Sequence, residues 1–136
     1  MLYQDCIEEA VRRGYPMDGD HSLRRYLLDG VKYAATTCWY YTDRPRQVWM
    51  ALYITANFFV DDLPSRFPSE IPNIYLFNAR FIKNQEQGNA VLGALADIVR
   101  RAPNLFQPVL SNLITTSTLD FMTATLVDCE TASMQV

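Results

Sequence analysis

The chain has 136 residues, 49% of them hydrophobic and 20% charged, with a formal net charge of −3. That length suits one domain large enough to bury a real core. The acidic balance gives no electrostatic footprint for nucleic acid, since Arg12-Arg13, Arg24-Arg25 and Arg100-Arg101 are separated pairs of solvated helix faces. No apolar run reaches the ~20 residues that a membrane span needs, and the first turns of chain carry Asp5, Glu8, Glu9, Arg12 and Arg13 rather than a secretory signal. Cys6, Cys38 and Cys129 are odd in number and lack metal-ligand spacing, which suits a reducing compartment. A lone histidine, His21, rules out a multi-histidine metal site. A cytoplasmic location is the expectation.

In chain order, Tyr3, Cys6, Ile7, Ala10 and Val11 form a helical stripe that ends near Gly14-Tyr15-Pro16. Leu23, Leu27, Val31, Ala34 and Cys38 keep the same period through a second helix, capped by Asp20 or Ser22. Asp43 is the expected N-cap of a third, with Pro45 in its first turn. From Val48 to Phe59 that helix is apolar on nearly every face, the pattern of a buried central helix. Pro64, Pro68 and Pro72 then punctuate a loop. Ile74 to Ile82 is a short helix, and Val91, Leu92, Leu95, Ile98 and Val99 mark another that stops before Pro103. A last helix runs from about Leu105 to Glu130. The fold class is all-α, a helical bundle over 1–136 in a single domain, with no internal repeat.

Asp61 and Asp62 close the uncharged run from Gln47 to Val60. A helix C-terminus carries partial negative charge, so each carboxylate there is disfavoured by roughly 0.3–1 kcal/mol without a cationic partner. Helical periodicity groups Asp61 with Ile54, Asn57 and Phe58, and Asp62 with Thr55, Phe58 and Phe59. Magnesium is commonly held by one or two carboxylates, with water and substrate phosphates filling its remaining positions. The adjoining apolar wall suits the hydrocarbon tail of an amphiphilic diphosphate, and aromatic faces stabilise cations.

Other residues read more plainly. His21 is expected in a surface cap region, Cys38 as a small core hydrophobe, and Asp120 as a cap or an ion-pair partner. Trp39-Tyr40-Tyr41 and Trp49-Tyr53 could line a pocket, though helical spacing favours plain core. Arg66 is an exposed loop arginine in the safer reading. No nucleophile elbow, phosphate-cradling glycine loop or His-Glu zinc motif is present.

The stretch YITANFFVDDLPSRFP at 53–68 resembles the aspartate-rich segment of class I terpene cyclases. With GVKYAATTCWYYT before it and SNLITTSTLDFMTAT after it, the chain is similar to the trichodiene synthase family of fungal sesquiterpene cyclases. The resemblance runs over roughly residues 20–130. It implies an all-α bundle, farnesyl diphosphate as substrate, and a magnesium cofactor held by Asp61 and Asp62, with Ile54, Asn57 and Phe58 beside the isoprenoid.

The departures matter too. Ser65 stands where family motifs commonly place a third acid. The second metal motif, Asn/Asp-x-x-Ser/Thr-x-x-x-Glu, is absent: Asn112-Leu113-Ile114-Thr115 begins correctly, but Leu119 holds the glutamate position, and Asp62-Leu63-Pro64-Ser65 ends in Ser69. The expectation is the front half of a cyclase domain, able to associate with itself. The alternative is a non-catalytic truncated helical protein or interaction module.

Overall fold

The structure is a computed structural model that describes residues 1–37 and 41–134. Cys38, Trp39 and Tyr40, expected in the core or a pocket, lie outside the described residues. Among the described residues six α-helices follow in order: α1 (Leu2–Arg12), α2 (Arg24–Thr37), α3 (Arg44–Arg66), α4 (Ile71–Ile82), α5 (Ala90–Arg100) and α6 (Pro108–Met134). Short 3-10 turns at Pro68–Glu70 and Ala102–Asn104 join them, and no strand occurs among the described residues. The all-α expectation holds.

Local chemistry sets most of the boundaries. Cys6 and Ala10 bury the α1 stripe, and Gly14 adopts φ +74°, a left-handed turn that stops the helix where a side chain would be strained. The Asp43 carboxylate accepts from the Arg46 backbone N–H, with Pro45 in the first turn of α3. Asn89 caps α5 in the same way, accepting from Val91 and Leu92. Neither Asp20 nor Ser22 caps α2. That helix starts at Arg24, too late in the chain for either side chain to serve its first turn, and neither forms a side-chain hydrogen bond among the described residues.

The proline loop contracts. Pro64 lies inside α3, which continues to Arg66, while Pro68 opens a 3-10 turn and Pro72 falls in the first turn of α4. Pro72 costs no hydrogen bond, because a first-turn N–H has no helical acceptor. Pro64 removes one bond near the end of α3, and the Phe67 N–H still closes the last turn on the Leu63 carbonyl at 2.8 Å.

The central helix is α3. From Arg46 to Val60 none of its residues is exposed. It packs against α1, α2 and α5, and α4 lies against α6. Trp49 is fully buried: it stacks on Tyr53, meets Phe106 edge-on and donates its indole N–H to the Ile98 carbonyl at 2.9 Å. The pair Trp49 and Tyr53 is core. Tyr53 also reaches the Thr118 hydroxyl at 2.7 Å, tying α3 to α6. Asn78 donates to the Leu119 carbonyl and ties α4 to the same helix.

Candidate functional site at the C-terminal end of α3

Because α3 runs on to Arg66, Asp61 and Asp62 stand one turn before its end rather than at it. Each looks to a different neighbour. Asp62 is half-buried against α2, where it accepts a hydrogen bond from the Tyr26 hydroxyl. Arg66, one turn on, donates to the same hydroxyl at 3.1 Å and sits 4.0 Å from the Asp62 carboxylate. Burial and the bond to Asp62 push the Tyr26 phenol pKa up. The cation expected near the helix end is thus supplied, for Asp62, by the chain itself. Arg66 is no loop residue: it is half-buried in the last turn of α3, with its guanidinium 4.8 Å from the Phe67 ring centroid.

Asp61 is the first exposed residue after the covered stretch of α3. It opens onto a groove of about 340 Å³ between the end of α3 and the C-terminal part of α6. Ser65, Ile71, Thr125, Asp128 and Cys129 also line this groove. Among the described residues Asp61 has neither a hydrogen bond nor an ion pair. Asp128 brings a second carboxylate to the same groove, a residue that the spacing around Asp61 did not single out because it comes from a distant helix.

Ile54, Asn57 and Phe58 do not line that groove. They are half-buried, and with Met50 they form a face of α3 that is less than fully covered. Phe58 meets Tyr33 of α2 edge-on at 5.9 Å, and Asn57 donates to the Tyr53 carbonyl. The helix therefore has a half-covered stripe rather than a bare flank. Large exposed apolar residues sit on other helices, among them Tyr33 on α2, Ile82 on α4, and Leu113 and Val127 on α6.

Two further expectations change. His21 is not simply a surface cap residue. Its ring packs 4.5 Å from Phe67, its Nδ1 lies 3.3 Å from the Asn89 amide, and its Nε2 is 3.7 Å from Glu70. Asp120 faces solvent on α6 with no ion pair or hydrogen bond among the described residues, since that helix turns its other side to the core.

No three His, Cys, Asp or Glu side chains among the described residues converge to enclose a metal. Magnesium does not require such a cage, because water and phosphate oxygens complete its shell around one or two carboxylates. Asp61, exposed and uncommitted, fits that donor role. Asp62 fits it less well, with Tyr26 and Arg66 already upon it. No helix among the described residues is long and apolar enough to cross a membrane.

Comparison with known proteins agrees on one class. The chain is 31% identical over 124 residues to longiborneol synthase of Gibberella zeae, covering 91% of this chain and 36% of that protein. It is 26% identical over 137 residues to alpha-cuprenene synthase of Coprinopsis cinerea, covering 99% of this chain and 41% of that protein. A terpene synthase of Cochliobolus sativus is 30% identical over 124 residues, 90% of this chain and 36% of its own length. No family model matches. The chain spans less than half the length of these curated relatives. In sequence, then, it is similar to fungal terpene synthases as a class, without preference for one product.

Proposed function

We propose that this chain is the part of a sesquiterpene cyclase, of the trichodiene synthase type, that receives the diphosphate of farnesyl diphosphate. The observation that carries the reading is Asp61, a free carboxylate following a helix segment with no exposed residue, in a chain similar to terpene synthases along nearly its whole length. Asp61 would hold magnesium, with Asp62 as the second and more encumbered ligand. Bound there, magnesium supplies charge neutralisation that makes diphosphate a better leaving group.

The chain's own residues do the rest. Tyr26 and Arg66 occupy Asp62 against α2, which leaves Asp61 as the uncommitted carboxylate on the groove. The half-covered stripe of Met50, Ile54 and Phe58 offers apolar surface for an isoprenoid tail and keeps water from it, with Asn57 as its one polar member. An aromatic face such as Phe58 stabilises a developing allyl cation by ~0.5–2 kcal/mol.

Equilibrium dialysis with farnesyl diphosphate tests the reading. Retention that requires magnesium, and falls in Asp61→Asn, supports it; retention equal with and without the metal removes it. One observation favours a second reading, a non-catalytic helical module: Ser65 stands where family motifs commonly place the third acid. On that reading farnesyl diphosphate is not retained at all.

A further inference from the structure

A second concavity lies at the opposite end of α3. It is a cleft of about 440 Å³, within the range of small-molecule sites. Arg12 and Arg13 from the end of α1, Arg44 from the start of α3 and Arg101 after α5 converge on it around a single lining carboxylate, Glu9. Its floor is apolar, made by Val48, Trp49 and Leu105. Four guanidiniums gathered in one cleft of a chain with net charge −3 are an arrangement that the sequence, with its scattered basic pairs, did not disclose.

The cations are only partly satisfied. Glu9 serves three of them: it is bonded to Arg12, accepts from Arg13 at 3.2 Å and lies 3.9 Å from Arg101. Partial burial opposes ionisation of Glu9, but the hydrogen bonds from Arg13 and Arg12 outweigh it and hold its carboxyl below the usual range. Arg44 pairs with Asp5 at 3.3 Å, and Arg101 lies 3.5 Å from Asp97. It is the Arg101 Nε that faces Asp97, buried at ion-pair distance without hydrogen-bond geometry. Glu9 has two carboxylate oxygens to share among three guanidiniums, so ligand oxygens would add acceptors that the cleft lacks.

We propose that this cleft binds a phosphate monoester carrying an apolar group, independently of magnesium and of Asp61. Guanidinium forks match phosphate oxygens in pairs, which favours a phosphate over a single halide or amide. The floor of Val48, Trp49 and Leu105 takes the apolar group. From Arg44 to Asp61 is about 25 Å of helix at 1.5 Å per residue, so one small ligand does not span both sites.

The test is titration calorimetry of the 136-residue chain at low salt, with chelator in place of magnesium. The probes are inorganic phosphate, monomeric octyl phosphate and vesicles containing phosphatidic acid. Octyl phosphate is expected to bind about tenfold or more tightly than inorganic phosphate, the octyl chain adding apolar burial. Arg44→Gln should weaken it by about tenfold, Arg101→Gln by at least as much, and Arg25→Gln, which removes the same charge outside the cleft, should leave it unchanged. Arg44 is half-exposed, so its variant keeps the test decisive should Arg101→Gln fail to fold. The proposal is overturned by absence of octyl phosphate binding at millimolar concentration, by equal weakening in Arg25→Gln, or by binding to vesicles alone, which would assign the arginines to a membrane surface.

Discussion

Replacing Gly30 by alanine should destabilise the fold although alanine is the better helix former. Gly30 is buried in α2 where it crosses α3. A Cβ there would lie 2.0 Å from the Thr55 hydroxyl oxygen and 3.1 Å from the Ala51 carbonyl oxygen. Thr55 has no easy retreat, because its hydroxyl is buried and donates to that same carbonyl at 2.6 Å. Turning it away leaves a buried hydroxyl unpaired, at ~1–3 kcal/mol. Forcing the helices apart instead is an overpacking cost of similar size, ~1–3 kcal/mol. Helix propensity returns only ~1 kcal/mol. The net expectation is a loss of about 1 kcal/mol, read by urea unfolding followed at 222 nm, with a fall in Tm of roughly 3–5 °C. Thr55→Ala in the same chain removes the 2.0 Å contact and should recover most of the loss. A Gly30→Ala variant as stable as the wild type, or more so, would refute the close crossing of α2 and α3.

Tyr26→Phe should lower stability by about 1 kcal/mol through the lost bond to Asp62, yet strengthen magnesium-diphosphate binding by freeing that carboxylate; calorimetry and melting, read together, check the opposite signs. Glu9→Gln should cost about 1–2 kcal/mol near neutral pH by leaving three arginines short of a partner. Since folding lowers the Glu9 pKa, its contribution is present above the ordinary glutamate range and fades as pH falls through the folded value, so wild type and variant should converge in acid melts. Burial, with Asp5 adding to it, pushes the Cys6 thiol up to about 12, so in native buffer Cys6 should resist alkylation while the partly exposed Cys129 reacts; peptide mapping that finds both labelled at one rate would contradict the burial of α1.

Local signals in the sequence were sufficient for the helices. The stripe through Cys6 and Ala10, the Asp43 cap and the all-round apolar character of α3 act over a turn or two, and the structure has them as expected. What periodicity could not reveal is contact between distant segments. Tyr26 meets Asp62 across 36 positions and Arg66 across 40, so the pairing that separates the two aspartates was invisible to spacing alone. The same blindness hid His21 under Phe67, Asp128 opposite Asp61, and the four-arginine cleft. Pro64 misled for another reason. A proline one turn from a helix end forfeits a single bond, and α3 absorbs that through the Phe67–Leu63 closure.

The central claim is that Asp61 is the principal carboxylate for a metal-bridged diphosphate. Calorimetry with magnesium and inorganic diphosphate on the wild type, Asp61→Asn and Asp62→Asn tests it most directly. The account predicts binding that requires the metal, falls about tenfold or more in Asp61→Asn, and falls less in Asp62→Asn. Equal binding by all three proteins, or a greater loss in Asp62→Asn than in Asp61→Asn, would contradict it.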